Sequence, residues 1–88
     1  MMRIVSSDEL KDAPYEYSLI RVQDYGKEHD PPYAIFVEAG QYANLFGKFK
    51  TRDDALREMR RIRRAYEAGA KFYIIGTGDH DGPMEVGK

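Results

Sequence analysis

Residues 51–69 constrain the fold most, because they carry the start, the periodicity and the end of one long helix. Thr51 followed by Asp54 fits the S/T-x-x-D/E start signature, and the helix dipole favours acidic side chains in a first turn. Gly69 is placed to end the helix as a C-terminal cap. Between these signals, apolar residues recur at helical spacing and predict one buried stripe: Ala55, Met59, Ile62 and Tyr66.

Short segments rich in aromatic and β-branched residues surround this helix and predict strands. Residues 8–14 stop at Pro14 and predict a turn or a single helical turn, while residues 24–32 predict a loop. Gly47 interrupts one strand segment, which indicates a bulge or a close approach of the backbone. The predicted strands are residues 3–6, 15–23, 33–39, 45–50 and 71–76.

These elements predict one α+β domain over residues 1–76, in the order β-β-β-β-α-β. We expect an antiparallel sheet of four to five strands with the long helix packed on one face. Residues 77–88 are rich in glycine and predict a flexible C-terminal tail. The helix stripe is expected to pack on apolar residues of the strands, namely Ile35, Val37, Leu45, Phe49, Phe72 and Ile74.

The chain of 88 residues contains no cysteine, and no apolar run approaches the roughly 20 residues of a membrane span. We therefore expect a cytoplasmic protein that is not stabilised by disulfides. Its serines, Ser6, Ser7 and Ser18, lie in no G-x-S-x-G motif. No glycine-rich loop joins a strand to a helix in the way that phosphate-binding loops do. The sequence predicts no enzymatic activity and no cofactor.

Two segments place a histidine beside aspartate ahead of a proline, with His29 and Asp30 in one and Asp79, His80 and Asp81 in the other. If these loops lay together, they would supply nitrogen and oxygen ligands for zinc or another divalent ion. Aspartate, glycine and proline are also the ordinary residues of turns. We expect turns and no metal site, with the convergence of the two loops left open.

The net charge of −1 conceals two regions of opposite sign. Residues 8–30 carry seven acids and three bases, whereas residues 48–64 carry eight bases and three acids. Such a distribution steers a molecule toward a charged partner, or toward a second copy of itself. The charge pattern therefore favours a binding protein and leaves a homodimer open.

The basic region places Arg57, Arg60, Arg61 and Arg64 opposite the apolar stripe of the predicted helix. Arg63 lies at the flank of this row, and acidic residues lie only at its edges. Arginine is a good helix former that keeps a surface hydrated. It also pairs with phosphates and carboxylates in a bidentate geometry. Two interpretations stay open, a solvated or self-pairing face and a contact surface.

Seven tyrosines are present, and large amphipathic rings are frequent at interfaces. Tyr25 and Tyr42 fall in predicted loops, which makes them the better candidates for contact with a partner. Tyr66 lies on the apolar stripe and is expected in the core.

The segment GKFKTRDDALREM resembles the strand-to-helix junction G-x-F-x-T-x-x-D/E-A of the arm-type DNA-binding domains of tyrosine recombinases. The resemblance covers residues 47–66. Those domains lay a three-stranded sheet in the major groove, so the resemblance implies that Lys48 and Lys50 face DNA. The chain departs from the pattern, because a further strand follows the helix and the upstream strands are acidic. The matching residues are Gly47, Phe49, Thr51, Asp54 and Ala55.

In overall profile the chain is similar to small phage-encoded inhibitors of the anti-CRISPR type, which are free-standing α+β domains that occlude a partner. This similarity implies a non-catalytic protein that occupies a protein or nucleoprotein partner. The alternative is a small nucleic-acid-binding regulator that uses the basic region 48–64. The near-neutral charge favours the first, because free-standing nucleic-acid binders are usually basic overall. The predicted partner-binding residues are Arg57, Arg60, Arg61, Arg64, Lys48, Lys50, Tyr25 and Tyr42.

Overall fold

The computed structural model describes residues 1–76, which form six strands, one helix and one short 3-10 turn. The predicted tail, residues 77–88, lies outside the described residues. The helix α1 spans Arg52–Glu67, and the 3-10 turn spans Tyr15–Tyr17. The strands are β1 (Arg3–Val5), β2 (Asp12–Pro14), β3 (Ser18–Asp24), β4 (Tyr33–Ala39), β5 (Tyr42–Phe49) and β6 (Phe72–Ile74).

The strands form two three-stranded sheets. In the first sheet, β1 pairs antiparallel with β2 and parallel with β6. In the second sheet, β3, β4 and β5 form an antiparallel meander. The predicted α+β class is confirmed. The predicted single antiparallel sheet of four to five strands is wrong, and the order within residues 1–76 is β-β-β-β-β-α-β.

Two features of the first sheet explain this error. The missed strand β2 has only three residues, one of them charged and one a proline, so it shows no alternating pattern. It forms the edge of its sheet, where a strand tolerates proline. Strand β6 pairs with β1, at the opposite end of the described chain, and not with the meander. Pairing over such a separation leaves no local signal in the sequence.

The helix packs across one face of the meander. Ile35 and Val37 of β4 and Phe49 of β5 are buried there, as the sequence predicted. Ala55 and Ile62 of α1 are buried in the same cluster. Removal of this apolar surface from water is the main favourable term in the folding of the domain.

Both predicted helix ends are confirmed. The hydroxyl of Thr51 accepts a hydrogen bond of 3.0 Å from the backbone N–H of Asp54, which satisfies one free donor of the first turn. Gly69 has a φ of +85°, the left-handed conformation that commonly ends helices. The backbone N–H of Ala70 donates to the carbonyl of Ala65 at 3.0 Å, which closes the last turn.

The buried side of α1 differs from the predicted stripe. Met59 is half-buried, and Tyr66 remains 37% exposed, so the prediction that Tyr66 lies in the core is wrong. Tyr66 lies in the last turn and stacks instead on Tyr15 of the 3-10 turn. Glu58 is buried, at 4% exposure, on the side of the helix that faces the core.

The orientation of β6 also differs from the prediction. Phe72 is exposed and Ile74 half-buried, whereas Tyr73 and Ile75 are buried. Both alternating sets of this strand are apolar, so the sequence pattern alone could not decide which set faces the core.

At Gly47 the structure has both a bulge and a close approach of the backbone, the two alternatives that the sequence indicated. The pairing of β4 with β5 shifts register beside it, which leaves Leu45 half-buried and Phe46 buried. A Cβ atom at Gly47 would lie 2.7 Å from Cγ2 of Ile75, too close for two carbon atoms. The absence of a side chain therefore lets the segment after β6 pack directly against β5.

Candidate functional site

A groove runs between α1 and the chain formed by the 3-10 turn and the start of β3. Its volume is about 360 Å³, and its apolar lining includes Ile20, Met59 and Ile62. Arg60 and Arg63 lie at its margin on the helix side, and both are exposed. We call this surface, together with the exposed Arg64 one position further along the helix, the arginine groove.

A pair of tyrosines lies beside the arginine groove. The rings of Tyr15 and Tyr66 are tilted with centroids 4.7 Å apart, and Tyr15 lines the groove. The hydroxyl of Tyr66 donates a 2.9 Å hydrogen bond to the carboxylate of Glu16. This bond, followed by the negative charge of Glu16, raises the pKa of Tyr66 above its ordinary value. One oxygen of Glu16, which also lines the arginine groove, is therefore occupied by Tyr66.

The structure divides the predicted row of arginines. Arg57 forms an ion pair of 3.1 Å with Asp54, one turn earlier on the helix. Arg61 lies 4.0 Å from the buried carboxylate of Glu58. Arg57 and Arg61 are therefore engaged with acids of their own helix.

Arg60 and Arg64 of the row, and Arg63 at its flank, are not engaged in this way within residues 1–76. Arg60, Arg63 and Arg64 are exposed, and they have no ion-pair partner within residues 1–76. Their i, i+3, i+4 spacing places them side by side on the helix surface. The sequence placed Arg63 at the flank of the row, and its role as a groove residue was missed. The local ion pair between Asp54 and Arg57 was visible in the sequence as an i, i+3 spacing.

The carboxylate of Glu58 organises a buried network that sequence reasoning also missed. One oxygen, Oε2, accepts hydrogen bonds from the hydroxyl of Tyr73 at 2.8 Å and from the backbone N–H of Gly76 at 2.9 Å. Burial, followed by the negative charge of Glu58, raises the pKa of Tyr73 well above its ordinary value. Because Oε2 accepts both hydrogen bonds from residues 73–76, this carboxylate joins α1 to the β6 segment.

The predicted lysines belong to a different surface. Lys48 and Lys50 are exposed and line a second cleft, in which no lining residue comes from α1. The basic region 48–64 is therefore split between two surfaces.

The predicted tyrosines lie apart from each other. Tyr42 is 72% exposed and pairs with Ala39, at the end of β4. Tyr25 directly follows Asp24, which pairs with Tyr33 at the other end of β4. The ring centroid of Tyr25 lies 6.1 Å from that of Phe36. The two ends of this strand are separated by roughly 20 Å. Tyr25 and Tyr42 therefore do not lie in one site.

Within residues 1–76, no group of three or more histidine, cysteine, aspartate or glutamate side chains is arranged to hold a metal ion. His29 packs its ring against Tyr25 at a centroid distance of 5.3 Å. Asp79, His80 and Asp81 lie outside the described residues, so the convergence of the two loops stays a hypothesis. The described part of the chain has no helix of the length and apolarity required to cross a membrane.

Comparisons with known proteins find no matching family model, no related curated protein and no similar solved structure. The resemblance of residues 47–66 to recombinase arm-binding domains, and the similarity to phage-encoded inhibitors, both stay predictions. Any functional conclusion must therefore come from the surfaces themselves.

Proposed function

We propose that this protein is a small non-catalytic binding protein that occupies a protein or nucleoprotein partner through the arginine groove. The observation that carries the proposal is that two exposed arginines, Arg60 and Arg63, line a groove with a partly apolar lining, with the exposed Arg64 next to Arg63 in the helix. Guanidinium groups select carboxylates, and an apolar groove selects an aliphatic or aromatic side chain. The combination fits an acidic segment that carries one apolar anchor.

The lining of the groove supports a protein partner. Arginine, tyrosine and methionine are enriched at protein interfaces, and Arg60, Tyr15 and Met59 all line this groove. Methionine is unbranched and adapts its shape to different partner side chains. Glu16 also lines the groove and accepts a hydrogen bond from Tyr66, so the lining holds two arginines against one acidic side chain.

The alternative is a nucleic-acid-binding regulator that uses the basic region 48–64, and the same arginines would contact phosphates. Two observations weigh against it. The net charge is −1, whereas free-standing nucleic-acid binders are usually basic overall. In addition, Lys48 and Lys50 line a different cleft from Arg60 and Arg63, so these basic residues are divided between two clefts.

The choice between these partners is tested with three defined probes. The first is a glutamate-rich peptide with one central leucine, the second is the same peptide with alanine in place of leucine, and the third is a short DNA duplex. Fluorescence anisotropy at several salt concentrations should show the leucine peptide binding more tightly than the alanine peptide. Tightest binding to the duplex, with a log–log salt slope of several units, would support the nucleic-acid alternative and contradict the proposal.

A further inference from the structure

The second cleft, on the side of β5, has a volume of about 380 Å³. It lies where the loop after β1 meets the end of β5, and it shares no lining residue with the arginine groove. We call it the lysine cleft and define it by Ser6, Ser7, Lys11, Gly47, Lys48 and Lys50.

The wall formed by the loop after β1 is held by its own hydrogen bonds. The buried hydroxyl of Ser6 donates to Oδ1 of Asp8 at 2.6 Å and accepts from the backbone N–H of Lys11 at 3.1 Å. The backbone N–H of Leu10 donates to the same Asp8 oxygen at 3.0 Å. The backbone N–H of Ser6 donates to the carbonyl of Lys11 at 2.9 Å, which closes the loop.

A further hydrogen bond fixes this loop to the strand. The backbone N–H of Ser7 donates to the carbonyl of Phe46 at 2.8 Å, directly beside Gly47. The two walls of the cleft are therefore pinned to each other, and a ligand would not need to order them. Such preorganisation lowers the entropic cost of binding.

The charge of the cleft is positive. Lys48 and Lys50 are exposed and form no ion pair with any of residues 1–76. Lys11 lies 3.8 Å from Oδ2 of Asp8, a long ion pair on the surface. The cleft thus holds three ammonium groups against one carboxylate, and the other oxygen of that carboxylate is already occupied by Ser6 and Leu10.

We propose that the lysine cleft binds a small oligophosphate anion. Lys48 and Lys50 are two positions apart at the end of a strand, where alternate residues are spaced by roughly 6.6 Å. Lysine side chains at this spacing, together with Lys11 on the facing wall, can engage several phosphate oxygens at once, which suits an anion with two or more linked phosphates. The hydroxyl of Ser7, which has no hydrogen-bond partner within residues 1–76, supplies a neutral donor on the opposite wall.

Tripolyphosphate is the probe that tests this site, with orthophosphate as the shorter comparison. Amide chemical shifts of the wild-type protein, recorded at low salt, should show saturable changes at Ser7, Gly47 and Lys48. Tripolyphosphate should bind more tightly than orthophosphate. The variant Lys48→Met/Lys50→Met should lose roughly a hundredfold in affinity, since each charge-assisted contact is worth roughly tenfold.

The matched control is Lys27→Met/Lys71→Met, which removes the same charge from two exposed lysines outside the cleft. It should change the affinity by less than roughly threefold. Equal losses in the two variants, or shifts that never saturate, would show general attraction of anions and overturn the proposal. Tighter binding of a DNA duplex at the same amides would also overturn it, by assigning these lysines to a nucleic-acid backbone. The site is independent of the proposed function, because the arginine groove is unchanged in both variants.

Discussion

The hydroxyl of Tyr73 donates a 2.8 Å hydrogen bond to the buried carboxylate of Glu58, and this contact joins β6 to the helix. The same oxygen accepts from the backbone of Gly76, so α1 is tied to the segment that leaves the first sheet. Because Arg61 lies on the outer side of Glu58, the network also connects the core to the arginine surface of the helix.

Replacement of Glu58 by alanine should destabilise the domain by about 3 kcal/mol, because the hydroxyl of Tyr73 and the N–H of Gly76 lose their common buried acceptor. Urea unfolding followed by circular dichroism measures this change. The control is Glu67→Ala, at an exposed position near the end of the same helix, which should cost less than about 0.5 kcal/mol. Equal effects at the two positions would show that the network contributes nothing beyond helix propensity.

Tyr73 should make stability fall at alkaline pH. Its pKa is raised in the folded protein, so the folded state holds this proton more tightly than the unfolded state. The stabilisation is complete below the ordinary tyrosine pKa of roughly 10 and is lost as the pH rises above it toward the folded-state value. Spectrophotometric titration should show Tyr73 still protonated at about pH 11, where unperturbed tyrosines are mostly ionised.

The comparison for this titration is Tyr73→Phe. In native conditions near pH 11 its tyrosinate absorbance should equal that of the wild type, and in denaturant it should be lower by the signal of one tyrosine. If the native wild type exceeded the native variant by the absorbance of one tyrosinate, Tyr73 would be ionised at this pH. That result would contradict the burial of its hydroxyl.

Gly47→Ala should destabilise the protein by roughly 1–3 kcal/mol, because the new methyl group would meet Cγ2 of Ile75 at 2.7 Å. Thermal and urea unfolding measure the loss. Combining it with Ile75→Ala tests the cause, since removal of the opposing side chain should make the double variant more stable than the sum of the two single effects. Strict additivity would mean that the cost at Gly47 arises elsewhere, for example in the backbone of the bulge.

The helix could be predicted because its signals are local. Thr51 and Gly69 mark its ends through short-range hydrogen bonds and backbone conformation, and both act as the sequence indicated. The bounds of β4 were also predicted correctly, because its aromatic and β-branched residues lie between Pro32 and Gly40. By contrast, the pairing of β1 with β6 and the two-sheet arrangement depend on contacts between distant parts of the chain.

The candidate site, like the fold, could be predicted only where its signals are local in the sequence. The helical wheel alone placed Arg60 and Arg64 on the outer side of α1. The groove itself was not predictable, because its second wall comes from Tyr15 and Ile20, which reach the helix only through the tertiary fold. The buried role of Glu58 could not be predicted for the same reason, since its hydrogen-bond partners lie on β6 and just beyond it.

The central claim is that the arginine groove is the binding surface, and charge reversal tests it most directly. The variant is Arg60→Glu/Arg63→Glu, and its control is Lys27→Glu/Lys71→Glu, which makes the same charge change at exposed positions outside the groove. The measurement is the affinity for the glutamate-rich leucine peptide, together with the melting temperature.

We expect the arginine variant to lose roughly a hundredfold in affinity, because like charges then face each other at the contact. Its melting temperature should stay close to that of the wild type, since exposed charges contribute little to stability. The control should retain affinity within roughly threefold. Retained binding in the arginine variant, or an equal loss in the control, would contradict the account and leave the arginines as the solvated side of the helix.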